Sequence, residues 1–276
     1  MRSRTIAGVL ATGLFACSSF GGESSATKDA GASDGGSTSA SSSSSSSSGS
    51  SSSGSTADWP PGPSGVGVSC AARPAKPKLC EDFDNGSVPP LVKQGNGALS
   101  LESPGSGSTG RCLRAAMTTT DKEGLAFVQQ AVGLANEIIW TYDLKLTADI
   151  VFDMELGELN LPFDNDECAL QLHFDPSNKQ LTLYEFCSNG DDVERGFVTL
   201  PDVPGQWVNV WIDAHLDTKK FSMTVTPENA PAITSAGSIA HAMPSSAASV
   251  RVGCTYGPSK TQPFSLYFDN FAAYAR

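Results

Sequence analysis

From about residue 67 onward, apolar and polar residues alternate with a period of two, and turn residues interrupt the pattern at short intervals. That period is typical of β-strands with one buried face, and no long segment shows the 3.6-residue period of an amphipathic helix. Many short antiparallel strands predict an all-β domain, either a two-sheet sandwich or a barrel. The predicted strands are 78–84, 98–102, 111–118, 125–131, 138–146, 168–175, 180–187, 196–200, 207–216, 220–226, 249–254 and 264–274.

The segment 167–187 predicts a hairpin that is closed by a disulfide. Its turn is Pro-Ser-Asn-Lys, and a turn centred between Ser177 and Asn178 places Cys168 directly opposite Cys187. Opposed residues of an antiparallel pair have Cα atoms about 4.5 to 5.5 Å apart, which is within the range that a disulfide bridges. We therefore predict a Cys168–Cys187 bond.

Strand parity divides the hairpin into a core side and a side that faces water or a ligand. Leu170, Leu172, Leu181 and Leu183 share the cysteine side. The strand 207–216 alternates in the same way, and we hypothesise that it lies in the same sheet as the hairpin. The outward side chains would then form a shallow cleft suited to hydroxyl-rich ligands. These candidate ligand-binding residues are Gln171, His173, Tyr184, Trp207, Asn209, Trp211 and Asp213. The alternative is an ordinary solvent-facing sheet.

The first twenty residues have the layout of a secretory signal. Arg2 and Arg4 precede an apolar run over 6–16 that is shorter than the ~20 residues of a membrane span. Leu14-Phe15-Ala16-Cys17 resembles the lipobox of bacterial lipoproteins. The resemblance implies a signal peptide over 1–17, lipidation of Cys17 and contact with the membrane through that anchor only. It also implies export to the envelope, at the outer membrane or cell surface. An ordinary secretory signal and a short transmembrane helix are the alternatives.

Residues 18–66 are dominated by Ser, Gly, Ala and Thr, with an unbroken serine run over 41–48. Such a segment buries too little apolar surface to fold, so we predict a disordered linker. The remaining residues, 67–276, are enough for one domain with a sizeable core.

The formal net charge of the chain is −11. Affinity for polyanions comes largely from Lys and Arg, so we expect no nucleic-acid partner. We expect a monomer.

Seven cysteines are present, and removal of Cys17 from the count leaves six. Six cysteines allow 15 connectivities. Cys70 and Cys80 are close enough in sequence for a local loop, which by elimination leaves Cys112 with Cys254. No CxxC or HExxH spacing indicates a zinc site instead.

Three segments resemble the concanavalin A-like (laminin G-like) jelly roll: "LCEDFD", "GQWVNVWIDAHLD" and "YFDNFAAYAR". The resemblance covers most of residues 78–276 and implies a two-sheet antiparallel jelly-roll sandwich in which the first and last strands are neighbours. That fold includes lectin-like binding modules, glycoside hydrolases and polysaccharide lyases, so fold alone does not assign an activity. Our leading hypothesis is carbohydrate or surface-ligand binding without catalysis. A polysaccharide-degrading enzyme and a structural envelope protein are the alternatives.

Two short motifs bear on the enzyme alternative. Gln171-Leu172-His173 resembles a strand motif of alginate lyases, which would make His173 and Tyr184 the base and acid beside Gln171, although the Arg-Ser-Glu-Leu-Arg segment of that family is missing. The segment 153–158 is similar to the Glu-x-Asp-x-Glu strand of jelly-roll glycosidases. Its third position is Gly157, and Glu158 points the other way unless a bulge intervenes, so we predict a solvated acidic strand.

Asp82, Asp84 and Asp269 lie where the first and last strands would meet. The jelly-roll resemblance implies a structural calcium near that place, and carboxylate oxygens suit this ion. The alternative is a set of unpaired surface acids. No other cofactor is expected.

Overall fold

The computed structural model describes residues 59–88, 92–94, 97–108, 110–117, 126–163, 166–187, 192–201, 205–240, 248–256 and 263–276. All of them belong to one compact unit. The predicted signal peptide, Cys17 and most of the predicted linker lie outside the described residues. Within the described part, no helix is long and apolar enough to cross a membrane.

The described residues form β-strands joined by turns and two short 3-10 helices. The helices are Cys70–Ala72 and Ser106–Ser108. The strands are β1 (Leu79–Glu81), β2 (Val92–Gln94), β3 (Ala98–Glu102), β4 (Cys112–Met117), β5 (Ala126–Gly133), β6 (Glu137–Leu146), β7 (Met154–Phe163), β8 (Asp166–Asp175), β9 (Gln180–Cys187), β10 (Val193–Thr199), β11 (Trp207–His215), β12 (Lys220–Pro227), β13 (Ile233–Ser238), β14 (Ala248–Tyr256) and β15 (Phe264–Ala275). Each of the twelve predicted strands is present.

The strands form two antiparallel sheets. The eight-stranded sheet has the order β13-β12-β11-β6-β15-β4-β3, and β1 also pairs with β15. The seven-stranded sheet has the order β10-β9-β8-β7-β14-β5-β2. The first and last strands are therefore neighbours, and the prediction of a two-sheet jelly-roll sandwich is confirmed.

The core lies between the two sheets and contains one side of each strand. Val208, Val210 and Ile212 of β11 are buried in the same apolar cluster as Leu170 and Leu172 of β8. Burial of each such side chain contributes about 1.5–3 kcal/mol. Alternation in the sequence therefore identified the inward side of these strands correctly.

Two of the three predicted disulfides are confirmed. Cys168 lies opposite Cys187 in the β8–β9 register, and the two are bonded. The carboxylate of Asp175 supports the turn by accepting hydrogen bonds from the backbone N–H groups of Ser177, at 2.8 Å, and Asn178, at 3.3 Å. Cys70 is bonded to Cys80.

The predicted Cys112–Cys254 disulfide is wrong, and both residues are buried thiols. Cys254 belongs to the apolar cluster between the sheets. Cys112 alternates with the inward residues Leu113 and Ala115, so it lies on the outer side of the eight-stranded sheet, where its Sγ is 3.6 Å from the carbonyl oxygen of Glu102. The layer formed by β4 therefore separates the two sulfur atoms. Burial raises the pKa of Cys112 to about 11 and that of Cys254 to about 12.

Packing of the N-terminal segment begins before residue 67. The ring of Trp59 contacts the ring of Tyr274, with centroids 6.4 Å apart, and the guanidinium of Arg276 lies over Trp59 at 4.1 Å. The backbone N–H of Gly67 donates a hydrogen bond to Asp143 on β6. This segment therefore crosses the outer side of the eight-stranded sheet.

Candidate functional site

The seven predicted ligand-binding residues do not form one cleft. Gln171, His173 and Tyr184 lie on β8 and β9 of the seven-stranded sheet, whereas the predicted residues of the strand 207–216 lie on β11 of the eight-stranded sheet. The two sheets face each other across the core, so their outer sides point in opposite directions. The prediction of a shared sheet was wrong because strand parity does not say which sheet a strand joins.

The outer side of the eight-stranded sheet over β1, β6, β11 and β15 is called here the covered face. Trp211 is only 3% exposed there and packs with Ala75 and Tyr274, while Trp59 lies against the same cluster. Trp207 is also buried, and the Lys145 ammonium lies 5.8 Å from its ring centroid. Both indoles are packing residues that a ligand does not reach.

Asn209 belongs to a buried hydrogen-bond network on the covered face. Its Nδ2 donates to Oδ1 of Asp143 at 2.8 Å. The other oxygen of Asp143, Oδ2, accepts from the backbone N–H of Gly67 at 2.8 Å, from Oγ of Ser106 at 2.6 Å and from Nδ2 of Asn270 at 2.8 Å. Four donors therefore stabilise one carboxylate that is shielded from water.

The three predicted calcium ligands are not brought together. Oδ2 of Asp269 accepts the backbone N–H of Ser106 at 2.7 Å, whereas Oδ1 of Asp84 accepts the backbone N–H of Arg111 at the same distance. Among the described residues, the one group of three or more metal-binding side chains lies elsewhere. Burial raises the pKa of Asp269 to about 7, and the charge of Asp143 contributes to the rise.

The outer side of the seven-stranded sheet is called here the open face. Six adjacent strands place one residue each in a continuous row of directly opposed positions across it. The row is Gln129, Arg251, Glu158, Gln171, Tyr184 and Glu194. A second row beside it contains Tyr256, Glu155, His173, Thr182 and Phe197.

A β-bulge in β7 brings Glu155 and Glu158 to the same side. The register shifts between Glu155 and Gly157, so Glu155 faces His173 while Glu158 faces Gln171. The sequence predicted that Glu158 points away unless a bulge intervenes, and the bulge is present, inserting one residue and reversing the parity beyond it. The prediction of a solvated acidic strand was wrong, since Glu155 and Glu158 are each only 5% exposed.

The two carboxyl groups have different environments. Nη1 of Arg251 donates to both oxygens of Glu158 at 3.0 Å, and its Nε donates to Oε1 of Gln129 at 3.1 Å. Oε1 of Glu155 is buried and has no hydrogen-bond partner. Burial, followed by repulsion from Glu158, raises the pKa of Glu155 well above its usual range, which favours the protonated form of this carboxyl group.

His173 and Tyr184 are in contact on the open face, as the hairpin register predicts. Their ring centroids are 4.9 Å apart, and Nδ1 of His173 is 3.7 Å from Oδ1 of Asp153. Partial burial raises the pKa of Tyr184, and the charges of Glu194 and Asp153 raise it further. A neutral phenol beside an imidazole can donate or accept hydrogen bonds.

Phe197 is the most exposed aromatic residue among those on the open face, and it was not among the predicted ligand-binding residues. Its side chain is 47% exposed on β10, and it lies opposite Thr182. The signal was present, because Val198 and Leu200 are buried core residues and alternation therefore directs Phe197 outward. An exposed ring on the outer side of a strand is a common feature of binding surfaces.

These features define a jelly-roll domain of the concanavalin A-like class with one open sheet face. No model of a known protein family matches the chain, and no curated protein is similar to it in sequence. The chain is similar in structure to the CBM2 module of the Lactobacillus casei BL23 phage J-1 evolved Dit, with 11% identity and a TM-score of 0.50 over 71% of this chain and 94% of that chain. It is also similar to the cellulose induced protein Cip1, with 11% identity and a TM-score of 0.50 over 72% of this chain and 97% of that chain.

The alginate lyase vAL-1 from Chlorella virus has a TM-score of 0.49 and 10% identity over 66% of this chain and 92% of that chain. At 11% identity, the two structures with a TM-score of 0.50 support the fold alone.

Proposed function

We propose that the domain binds a neutral carbohydrate chain on the open face without catalysis. Phe197 is the observation that carries the proposal, because an exposed ring next to the Tyr184 strand supplies a surface on which the apolar face of a sugar can stack. Gln171 and His173 lie beside these rings and offer hydrogen-bond partners for hydroxyl groups. The shared fold is compatible with this function but does not assign a ligand.

The charges on the open face favour a neutral ligand over a polyuronate. The carboxylates of Asp153, Asp175, Asp192 and Glu194 all lie near enough to Tyr184 to raise its pKa. The guanidinium of Arg251 is bound to Glu158, so its charge is compensated before any ligand arrives. We therefore expect incubation with polyuronates to give no absorbance from unsaturated products, which would exclude a lyase role for His173 and Tyr184.

A glycan array with neutral polysaccharides tests the binding proposal. We expect Phe197→Ala and Tyr184→Ala to weaken binding by about tenfold or more, since central aromatic contacts in an interface contribute over 1 kcal/mol. Leu134→Ala is the matched control, because Leu134 is an exposed apolar residue (70%) at the β5–β6 turn. Absence of any saccharide signal for the wild type, or equal binding by Phe197→Ala, would reject the proposal and favour a structural envelope role.

Glu155 and Glu158 support a second candidate, glycoside hydrolysis. A carboxyl group whose pKa is raised by burial, beside a carboxylate paired with an arginine, is the kind of pair that an acid and a base or nucleophile require. The test is the release of reducing ends from neutral polysaccharides by the wild type and by Glu158→Gln. Release that the substitution abolishes would establish catalysis, and no release by the wild type would exclude it.

We also propose that the domain is exported as a monomer and anchored through a lipid on Cys17. The lipobox-like segment and the serine-rich linker support this location. The expected results are incorporation of labelled fatty acid by the wild type and recovery of the protein with membranes. Cys17→Ser should lose both, and an unlabelled wild type would contradict the anchor.

A further inference from the structure

Three metal-binding side chains meet on the outer side of the eight-stranded sheet, away from the open face. β6 and β11 are antiparallel neighbours, and His215 lies directly opposite Glu137. Asp213 is two residues earlier on β11, so it projects to the same side as His215. One ligand atom from each residue lies within 4.8 Å of the other two, and this is the one such group among the residues that the structure describes.

The contacts within this group are too long for strong hydrogen bonds. Nε2 of His215 is 3.4 Å from Oδ1 of Asp213 and 3.6 Å from Oε1 of Glu137. An N–H···O hydrogen bond usually spans about 2.7–3.2 Å. Oδ1 of Asp213 is also buried without a hydrogen-bond partner of normal geometry. The imidazole nitrogen and the two carboxylate oxygens therefore face one another without forming hydrogen bonds of normal length.

Two of the three separations are close to the edges of a tetrahedral zinc site. Zinc binds His nitrogen at about 2.0–2.1 Å and carboxylate oxygen at about 2.0–2.2 Å, which places neighbouring ligand atoms about 3.3–3.5 Å apart. The observed distances from His215 to Asp213 and to Glu137, 3.4 and 3.6 Å, lie within or just above this range, and the ligand atoms of Glu137 and Asp213 lie within 4.8 Å of each other. Imidazole favours zinc and similar transition-metal ions over calcium or magnesium, which select oxygen ligands.

Arg276 orients one of the three side chains. Its Nη2 is 2.6 Å from Oε2 of Glu137, and its Nε donates to the same oxygen at 2.6 Å. Oε1 is thereby left to face His215, as in metal sites where an outer partner holds a ligating carboxylate in position. From this geometry we propose that Glu137, Asp213 and His215 bind a divalent zinc-class ion, with the fourth position open to water or another ligand.

Titration of the purified full chain with Zn²⁺, after treatment with a chelator, tests the site. We expect one ion per chain in calorimetry, and an increase in thermal midpoint that the chelator reverses, because a ligand of the folded state stabilises it. Co²⁺ should give the visible absorption of a low-symmetry, four-coordinate ion. Excess Ca²⁺ or Mg²⁺ should not displace the bound metal.

His215→Gln and the nearly isosteric Asp213→Asn should each weaken Zn²⁺ binding at least tenfold. His173→Gln is the matched control, because His173 belongs to no group of three metal-binding side chains among the described residues, and this variant should bind Zn²⁺ like the wild type. If His215→Gln does not fold, Asp213→Asn carries the comparison alone. Equal Zn²⁺ affinity of the wild type and the two site variants, or loss of the bound ion in His173→Gln, would overturn the proposal.

Discussion

The two outer faces of the sandwich have the same alternating sequence pattern but differ in exposure to solvent. On the covered face, Asp143, Asn209 and Trp211 alternate with core residues, yet all three are buried beneath the segment that begins at Trp59. On the open face, Gln171 and Phe197 also alternate with core residues, and both reach solvent. Alternation therefore shows which side of a strand avoids the main core, but not whether that side is surface.

The faces also differ in how they stabilise buried carboxyl groups. Asp143 on the covered face has four neutral hydrogen-bond donors at its two oxygens. Glu158 on the open face is paired with the guanidinium of Arg251. The donors to Asp143 come from four separate chain segments, so these hydrogen bonds tie the segment at Gly67 and the loop at Ser106 to the sheet. The ion pair between Glu158 and Arg251 joins only two neighbouring strands.

The largest effect is expected from removal of the carboxylate at the centre of the covered face. Asp143→Ala removes the acceptor of four hydrogen bonds, three of them buried, so we expect a loss of about 3–5 kcal/mol in the free energy of unfolding. Chemical denaturation measures it. Asp153→Ala is the matched control on the other sheet, since its side chain is 61% exposed and should change stability by less than about 0.5 kcal/mol. Similar losses in the two variants would contradict the difference between the faces.

A pair of aromatic substitutions separates packing from ligand binding. Trp211→Ala removes a buried indole and should lower the free energy of unfolding by about 3 kcal/mol or more. Phe197→Ala removes an exposed ring and should leave stability within about 0.5 kcal/mol, while weakening saccharide binding. Denaturation and glycan binding, measured on both proteins, give the result. A destabilised Phe197→Ala variant would show that Phe197 is a packing residue.

The pH dependence of stability should differ between the wild type and Asp269→Asn. Because the pKa of Asp269 is raised to about 7 in the folded protein, folding takes up a proton between the unfolded-state pKa near 4 and pH 7. The stability linked to this group is therefore complete below about pH 4 and is lost as the pH rises to about 7, at no more than about 1.4 kcal/mol per pH unit.

Denaturation at several pH values from 4 to 8 measures this dependence. Asp269→Asn should lack the pH-dependent stability that is linked to Asp269. Its free energy of unfolding should therefore change less with pH than that of the wild type, whatever its absolute stability. Parallel profiles for the two proteins would contradict the raised pKa of Asp269.

The smallest effect is expected at Glu155. The raised pKa of Glu155 favours its protonated form, and a protonated carboxyl and an amide have nearly the same shape, so Glu155→Gln should change stability by less than about 1 kcal/mol at pH 6. At higher pH the variant should become more stable than the wild type, because ionisation of the buried Glu155 carboxyl group costs free energy that the neutral amide avoids.

Glu158→Gln is the contrasting variant, because it removes the charged partner of Arg251 and should destabilise the protein at both pH 6 and pH 9. Chemical denaturation of the two variants at these pH values makes the comparison. If Glu155→Gln were as destabilising as Glu158→Gln at pH 6, Glu155 would be ionised in the folded protein.

Much of the fold and part of the candidate site were predictable from local pattern. The strands Ala98–Glu102 and Gln180–Cys187 have the predicted bounds, and the hairpin register placed Cys168 against Cys187. The same register placed His173 and Tyr184 on one side. These features depend on residues near one another in sequence, where turn geometry and side-chain period act directly.

The parts that were missed depend on distant segments. The bulge between Glu155 and Gly157 is specified by the pairing of β7 with two other strands, and Gly157 in the sequence permits a bulge without requiring one. The covering of Trp211 requires Trp59 to cross the sheet from more than a hundred residues away. The wrong prediction of a Cys112–Cys254 bond was made by elimination among six cysteines, and elimination cannot detect that a sheet lies between two side chains.

The sequence by itself determined the strand positions, the inward side of most strands and the disulfide within the β8–β9 hairpin, because a period of two and a tight turn act over short distances. Only the tertiary structure decided that β8 and β11 belong to different sheets, that one outer face is covered, and that Glu137, Asp213 and His215 meet. Those outcomes follow from pairing between strands that are distant in the sequence. The local pattern is compatible with several arrangements of the strands, and the free energy of burying a whole sheet selects one of them.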